Sequence, residues 1–545
     1  MSQGKRLTAS TKLASLCQVW GFLKYYHPAI STSRLDWDSV LIHKLITINR
    51  INNLLELHEF YENWLKELSP VEKCDTCISA TALPDSARLN LDFKWMQAPC
   101  FTKQLITRLN FIKANRNQHR NPYVYYNDAT ALLYTIHEAP YGDTLPDTNH
   151  RLLALFRYWN IYNYFSPYKH LQDKDWNDAL ITAIPMFLAA KHPLEYEMAF
   201  MQCNARVQDT HAQVMLNTPV FISKFLGTYR LPIVVGSVGE EFVIKKVFAD
   251  SSHPPIKLYP GDVILKIGQE PVVQKKQLFA RYYAYSNEAS LNRMVAERLS
   301  CYTDSVVTVT IRRGIHVLTE QMKCISDEQW WTFYPDYWMS NVTKATQQVQ
   351  RADTNIGYIN VGTLEQGQVD SVMQQQWHKA AIIFDCRAYP QQTAGLLANK
   401  LFSGAVTAYL AAIPDLTFPG TFKYLPIQIG DTENRDHYKG KIVILCNEET
   451  QSQAESMCLM FQQYPGVVTI GSQTAGANGN AISFEMPGGI SGVLISSIGI
   501  LEASGRQHQR KGVGVDMYVK PTLEGIKQER DEVLEKAITY LLNSK

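Results

Sequence analysis

Excess charge is the first thing this chain lacks. Lys plus Arg total 53 and Asp plus Glu total 51, which leaves no basic surplus for the phosphate backbone of a nucleic acid or for an anionic membrane surface, so neither is expected as a partner. Long apolar runs are missing too. No stretch reaches the roughly 18 residues of a membrane span, and the opening MSQGKRLTAS has no apolar h-region, so no signal peptide is expected in this sequence. Cysteine is sparse, 10 in 545 residues, and only Cys74 and Cys77 form a C-x-x-C. Without a second pair at zinc-site spacing no metal is expected, and no cofactor either. Cys17, Cys446 and Cys458 lie in apolar patterns and read as small core residues.

What the chain does have is apolar content and length. It is 46% hydrophobic, with 29 Tyr, 21 Phe and 10 Trp, enough for aromatic-rich cores or a peptide-binding groove. Its 545 residues exceed what one core covers, so two to four domains are expected. The front of the chain repeats itself. LCQVWGFLKYYHPAISTSRLDWDSVL from Leu16 and LFRYWNIYNYFSPYKHLQDKDWNDAL from Leu155 align without a gap at an offset of 139, matching Trp20 with Trp159, Pro28 with Pro167 and Trp37 with Trp176. Each copy reads as an aromatic-rich helix that ends before the proline, a loop, and a second helix starting near the tryptophan. The copies are assigned to residues 1–77 and 147–228, with 78–146 as a connecting segment whose NPYVYYN and APYGD are turn signals.

From about Leu231 the texture changes to short strands, LPIVVGSV, EEFVIKKVF, GDVILKIGQEPV and SVVTVTIRR, with one helical stretch at 277–299. IKLYPGDVILKIGQEPV resembles the part of PDZ domains in which a Gly-Asp turn precedes a strand and hairpin, so residues 229–328 are expected to be PDZ-like and to bind peptides by strand addition. LPIVVGSVGEEF lacks a clear carboxylate-binding loop, which leaves the reading of free C-termini open. Beyond Thr354 strands alternate with helices, NIGYINVGTL, AAIIFDCR, KIVILC and VVTIGSQ being the strands. Nearly continuous apolar strands in that alternation predict a largely parallel sheet covered by helices over 329–545, with functional groups at the carboxyl ends of the strands. The fold class is thus multidomain α+β.

One stretch organises the rest. In KIVILCNEETQSQAE, Lys441 to Glu455, a buried strand stops at a polar turn and a helix opens at Ser452. Taken alone, Ser452 is a helix N-cap. A serine there is also beside unpaired helix N–H groups that can hold an oxyanion. The second repeat carries RVQDTHAQV, in which His211 follows an amphipathic helix; alone it reads as a surface or loop-packing histidine, and as a functional group it is a general base.

The order of these parts, with GYINVGTL, IIFDCR, TQSQAES and GSQTAGANGN, resembles the C-terminal-processing (tail-specific) serine peptidases, and most closely their tricorn-type, Bacteroidetes-like branch. The resemblance runs from about Arg151 to the C-terminus. It implies a crotonase/ClpP-like peptidase core, a peptide or unfolded-protein substrate, Ser452 as nucleophile and a periplasmic or extracytoplasmic location. The branch that uses a Ser/Lys dyad has its lysine just after the T-x-G turn, where this chain has Ala477. The resemblance therefore implies the other arrangement, with His211 as base and Thr210 in its preceding hydroxyl position.

Two departures stand out. A glutamate that organises the site in this branch corresponds to Gln509, 57 residues after Ser452, with Glu502 as a nearby carboxylate. D-x-R-G-N-x-G-G, which shapes an oxyanion turn, is replaced by DCRAYPQQ. The oxyanion donors implied are the N–H of Gln453 and one from Ala388 or Tyr389. The expected reaction is acyl transfer by a serine endopeptidase on extended polypeptides. Its rivals are a catalytically inactive peptide-binding pseudo-peptidase, favoured by the two departures, and a crotonase-like acyl-CoA enzyme, for which no CoA-binding feature is found. The oligomeric state is left open.

Overall fold

The computed structural model describes residues 7–32, 35–127, 132–142, 144–215, 227–248, 257–430 and 436–544. Most of the opening MSQGKRLTAS lies outside them.

The two aromatic-rich helices are Ala9–Tyr26 and Thr148–Phe165, each buried on nearly every face and capped by a side chain, Thr8 in one and Asp147 in the other. The second helices of the repeats, Trp37–Asn49 and Trp176–Ala189, are joined to the first by the same device in both copies. Trp20 Nε1 donates to Trp37 C=O at 3.0 Å and Trp37 Nε1 returns a bond to Trp20 C=O at 3.1 Å. Trp159 and Trp176 exchange the same pair at 2.9 and 3.0 Å. A buried indole needs an acceptor, and here each tryptophan satisfies the other's helix.

The copies pack on one another with pseudo-twofold symmetry. Gly21 and Asn160 occupy equivalent positions and meet each other, so closely that a Cβ on Gly21 would lie 1.9 Å from Asn160 Oδ1. Gln18 Nε2 donates to Asn177 Oδ1 at 2.8 Å, and the exchanged positions are Arg157 and Asp38, which form a buried ion pair. Self-complementary contacts of this kind mark an isologous interface, here within one chain.

Residues 233–323 form an antiparallel sheet in the order His316–Lys323, Val306–Arg313, Val263–Ile267, Glu241–Val247, Ile233–Val238. The expected single helical stretch is two helices, Val272–Tyr282 and Glu288–Arg298, because Asn287 forms a capping box with Ser290 that starts the second one afresh. A separate core of Phe242, Ile244, Ile264, Val309 and Ile311 holds this unit together.

The C-terminal region is built on a parallel sheet, Ile356–Asn360, Ala381–Asp385, Lys441–Cys446, Val468–Gly471, Met517–Tyr518. Alternation along the third strand divides its side chains between two cores. Ile442 and Ile444 pack with Met457 and Phe461 of the helix Gln453–Phe461, and Val443 and Leu445 pack with Val349 and Leu534 on the opposite face. Those last two come from the long helix Asp327–Ala352 and the C-terminal helix Glu532–Asn543. A second, antiparallel sheet of Phe422–Ile429, Val406–Pro414 and Gly499–Glu502 adds to this region what alternating strands and helices alone do not predict.

Candidate active site

Ser452 sits at the junction of the buried strand Lys441–Cys446 and the helix Gln453–Phe461, with φ +56° and ψ −118°. Ordinary caps in this chain are extended, as Thr8 (φ −94°, ψ 159°) and Asn53 (φ −140°, ψ 169°) are. A non-glycine residue held at positive φ costs about 1–3 kcal/mol and persists only where its surroundings over-determine it. Here they do. The Ser452 N–H donates to Ala477 C=O at 2.9 Å, the Ala475 N–H to Thr450 C=O at 3.0 Å, and Thr450 Oγ1 to Cys386 C=O at 2.8 Å. The serine is thus clamped between the T-A-G-A loop and the end of the neighbouring strand. Among the described residues, no hydrogen bond takes the amide of Gln453, and none takes those of Ala388 or Tyr389.

The T-A-G-A loop is in turn held by Glu455, in the first turn of the same helix. Its carboxylate accepts the N–H groups of Gly476 at 2.8 Å and Ala477 at 3.0 Å and the hydroxyl of Thr474. His508 Nε2 lies 3.4 Å away. Burial alone would raise this carboxyl, but His508, Thr474 and the Gly476 amide together hold it below its ordinary value.

His211 comes from the second helical copy, and among the described residues no hydrogen bond joins it to Ser452. Helix Pro193–Asn204 runs into a 3₁₀ turn at Ala205–Val207, and Gln208 in the left-handed conformation (φ +51°) ends it. The chain then crosses to the C-terminal region, where Val214–Met215 pairs with the strand Ile490–Ser496. Asp209, 2% exposed, accepts the His211 backbone N–H on Oδ1 at 3.0 Å, and the same oxygen lies 3.7 Å from His211 Nδ1. Ser496 Oγ donates to Asp209 Oδ2 at 2.7 Å and lies 3.3 Å from His211 Nδ1. Since the Ser496 proton is spent on Asp209, its oxygen can only accept from the ring. The contact therefore fits a proton on Nδ1, the tautomer of the neutral ring in which Nε2 carries the lone pair.

Thr210, fully buried, ties this segment to the Ser452 loop. Its N–H and hydroxyl reach Ser286 Oγ at 2.9 and 3.1 Å, Gln509 Nε2 reaches the same oxygen at 3.5 Å, and Gln509 Oε1 accepts the Asn478 N–H at 3.2 Å. Asn478 directly follows Ala477, the residue that accepts from Ser452. Glu502 is elsewhere. It lies at the end of the strand Gly499–Glu502, paired with Arg506 (Nε to Oε2, 2.8 Å), and among the described residues it touches neither His211 nor Ser452. The Ala388 turn is anchored by Arg387, which reaches Asp385 at 2.8 and 2.7 Å and Asp531 at 2.8 and 2.7 Å, while Tyr389 is 56% exposed.

Asp209 and Ser496 are the two residues that sequence reasoning passed over. Asp209 was legible in principle, since D-x-H is the spacing of an Asx turn; Ser496, 285 residues from His211, carried no signal. Cys74 and Cys77, the C-x-x-C of the sequence, are bonded to each other. Among the described residues no cluster of His, Cys, Asp and Glu is arranged to hold a metal.

Residues 355–519 match peptidase family S41. No curated protein matches the chain. Among solved structures, mature CPAF complexed with lactacystin superimposes with a TM-score of 0.55 at 13% identity, over 72% of this chain and 98% of that one. Mature CPAF alone gives 0.56 at 13% identity, over 72% and 96%. These likenesses establish the fold. The photosystem II D1 C-terminal processing protease aligns at 0.38, with 15% identity over 69% of this chain and 96% of that one.

Proposed function

We propose that this chain, whose residues 355–519 match peptidase family S41, is a serine endopeptidase acting on unfolded or extended polypeptides, with Ser452 the nucleophile and His211 the general base. The observation that carries the reading is the strained backbone of Ser452 at a helix start, beside unspent amides. His211 Nε2 takes the Ser452 proton as Oγ attacks the scissile carbonyl, and the oxyanion is held by the N–H of Gln453 with one from Ala388 or Tyr389. Ser496 and Asp209 keep the imidazole in the tautomer the step needs, and Asp209 stabilises the imidazolium that forms. Water activated by the same histidine then releases the acyl group. Thr210 and Gln509 position the histidine segment against the Ser452 loop, and Glu502 has no part in the chemistry.

Residues 229–328 are read as PDZ-like, with the sheet-edge strand Ile233–Val238 offered to an extended peptide, and residues 329–545 as a crotonase/ClpP-like core. The two helical copies, 1–77 and 147–228, and the segment between them brace the arm that carries His211. A disulfide at Cys74–Cys77 supports an oxidising, extracytoplasmic compartment. No helix among the described residues is long and apolar enough to cross a membrane.

The experiment is degradation of an unfolded, protease-sensitive protein by the wild type beside Ser452→Ala and His211→Ala. Cleavage by the wild type and loss in both folded variants supports the reading; cleavage that survives Ser452→Ala overturns it.

A further inference from the structure

A cavity of about 560 Å³ opens at the carboxyl ends of the first three core strands, where Tyr358, Asp385 and Asn447 line it, and it reaches the Ala388 turn. That volume suits one or two peptide residues. One wall is aromatic, formed by Phe248, Phe333, Tyr337 and Trp338.

The charges in it are unequal in how they are used. Arg387 is spent on Asp385 and Asp531, and Lys246 and Lys344 both face Glu529, at 3.8 and 2.9 Å. Lys245 forms no ion pair among the described residues. Two features aim it into the cavity. The pairing of Ile233–Val238 with Glu241–Val247 slips between Val234 and Val235, so that Val234 faces Lys246, Val235 faces Ile244, and Lys245 is the extra residue of a β-bulge. Bulges re-aim a side chain and recur beside functional sites. The neighbouring strand has Gly236 there, and the lysine stem runs through the space a side chain would take, since a Cβ would lie 2.2 Å from Lys245 Cε. Burial alone would lower this amine, yet Glu448 and Glu449 across the seam more than offset that and keep it charged.

We propose that this cavity is a substrate subsite that takes a carboxylate-bearing residue of the peptide, with the Lys245 ammonium pairing the carboxylate and the aromatic wall receiving the apolar part of the same residue. The carboxylate is that of a chain terminus or of an Asp or Glu side chain, since one ammonium reads both. The proposal rests on the reading of Ser452 as nucleophile, for it assigns the cavity to the same peptide.

The test is binding, so that it does not depend on turnover. Fluorescently labelled peptides are titrated into Ser452→Ala protein by anisotropy: one sequence with a free C-terminus or a C-terminal amide, and one amidated sequence with an internal Glu or Gln. A charge-assisted contact predicts about 10-fold or greater preference for the carboxylate in at least one pair, and the pair that discriminates identifies the source. In Ser452→Ala/Lys245→Met the preference falls to about 1, and in Ser452→Ala/Lys245→Arg it returns. Equal binding of carboxylate and amide in both pairs overturns the proposal, as does a preference that survives Lys245→Met. Absence of cleavage by the wild type, with the binding preference intact, would instead count against the Ser452 chemistry alone.

Discussion

Ser496 Oγ lies 3.3 Å from Nδ1 of His211, on a strand that the histidine segment joins by backbone pairing. Because the same hydroxyl donates to Asp209, the contact sets which ring nitrogen carries the proton. Ser496→Ala removes that acceptor and leaves Nδ1 only the 3.7 Å approach to Asp209. Peptide hydrolysis is expected to slow about 10-fold in kcat. Asp209→Asn, which loses the charge opposite the imidazolium, is expected to cost between about 10² and 10⁴ in kcat with little change in KM. Steady-state kinetics on one fluorogenic peptide check both.

Gln509→Ala strips the acceptor from the buried Asn478 N–H and the link to Ser286. A buried amide left unpaired costs about 1–3 kcal/mol. Urea unfolding followed by tryptophan fluorescence should show that loss, and kcat should fall as the His211 segment loosens from the Ser452 loop.

Stability toward acid carries the mark of Glu455. Its carboxyl is held below the ordinary 4.5, so its contribution is complete above pH 4.5 and is lost as pH falls through the lower, folded value. Glu455→Gln is expected to be less stable at neutral pH and to have a shallower acid limb below pH 4.5. Denaturant melts from pH 3 to 7 measure both.

Thiol titration reports on Cys74 and Cys77. Denatured without reductant, the protein should show eight reactive thiols, and ten after reduction. Ten in both conditions would remove the argument for an oxidising compartment. The closed loop is short, so Cys74→Ser with Cys77→Ser should lower stability by no more than about 2 kcal/mol.

The parts of the fold that were legible are those in which a local pattern and the tertiary context agree. KIVILC is apolar because both its faces are buried, and the tryptophans of the repeat recur because each closes the same reciprocal bond. The long helix Asp327–Ala352 escaped notice because aromatics crowd its first half and Pro335 interrupts the pattern there. The strand Phe422–Ile429 carries Pro426, which reads against a strand, yet it lies at a sheet edge where the missing N–H is tolerated. Within the candidate site, motif and chain order single out Ser452 and His211 as the residues to test. The positive φ of Ser452 is not legible there, since it depends on the contact with Ala477, and the carboxylate beside His211 is Asp209, two residues before it, which no catalytic motif marks.

The most direct test of the central claim is labelling with a serine-reactive fluorophosphonate, mapped by peptide mass spectrometry. The account predicts one label per chain on Ser452, formed at least about 10²-fold more slowly in folded His211→Ala. A label on another serine, or equal rates in the wild type and His211→Ala, would contradict it.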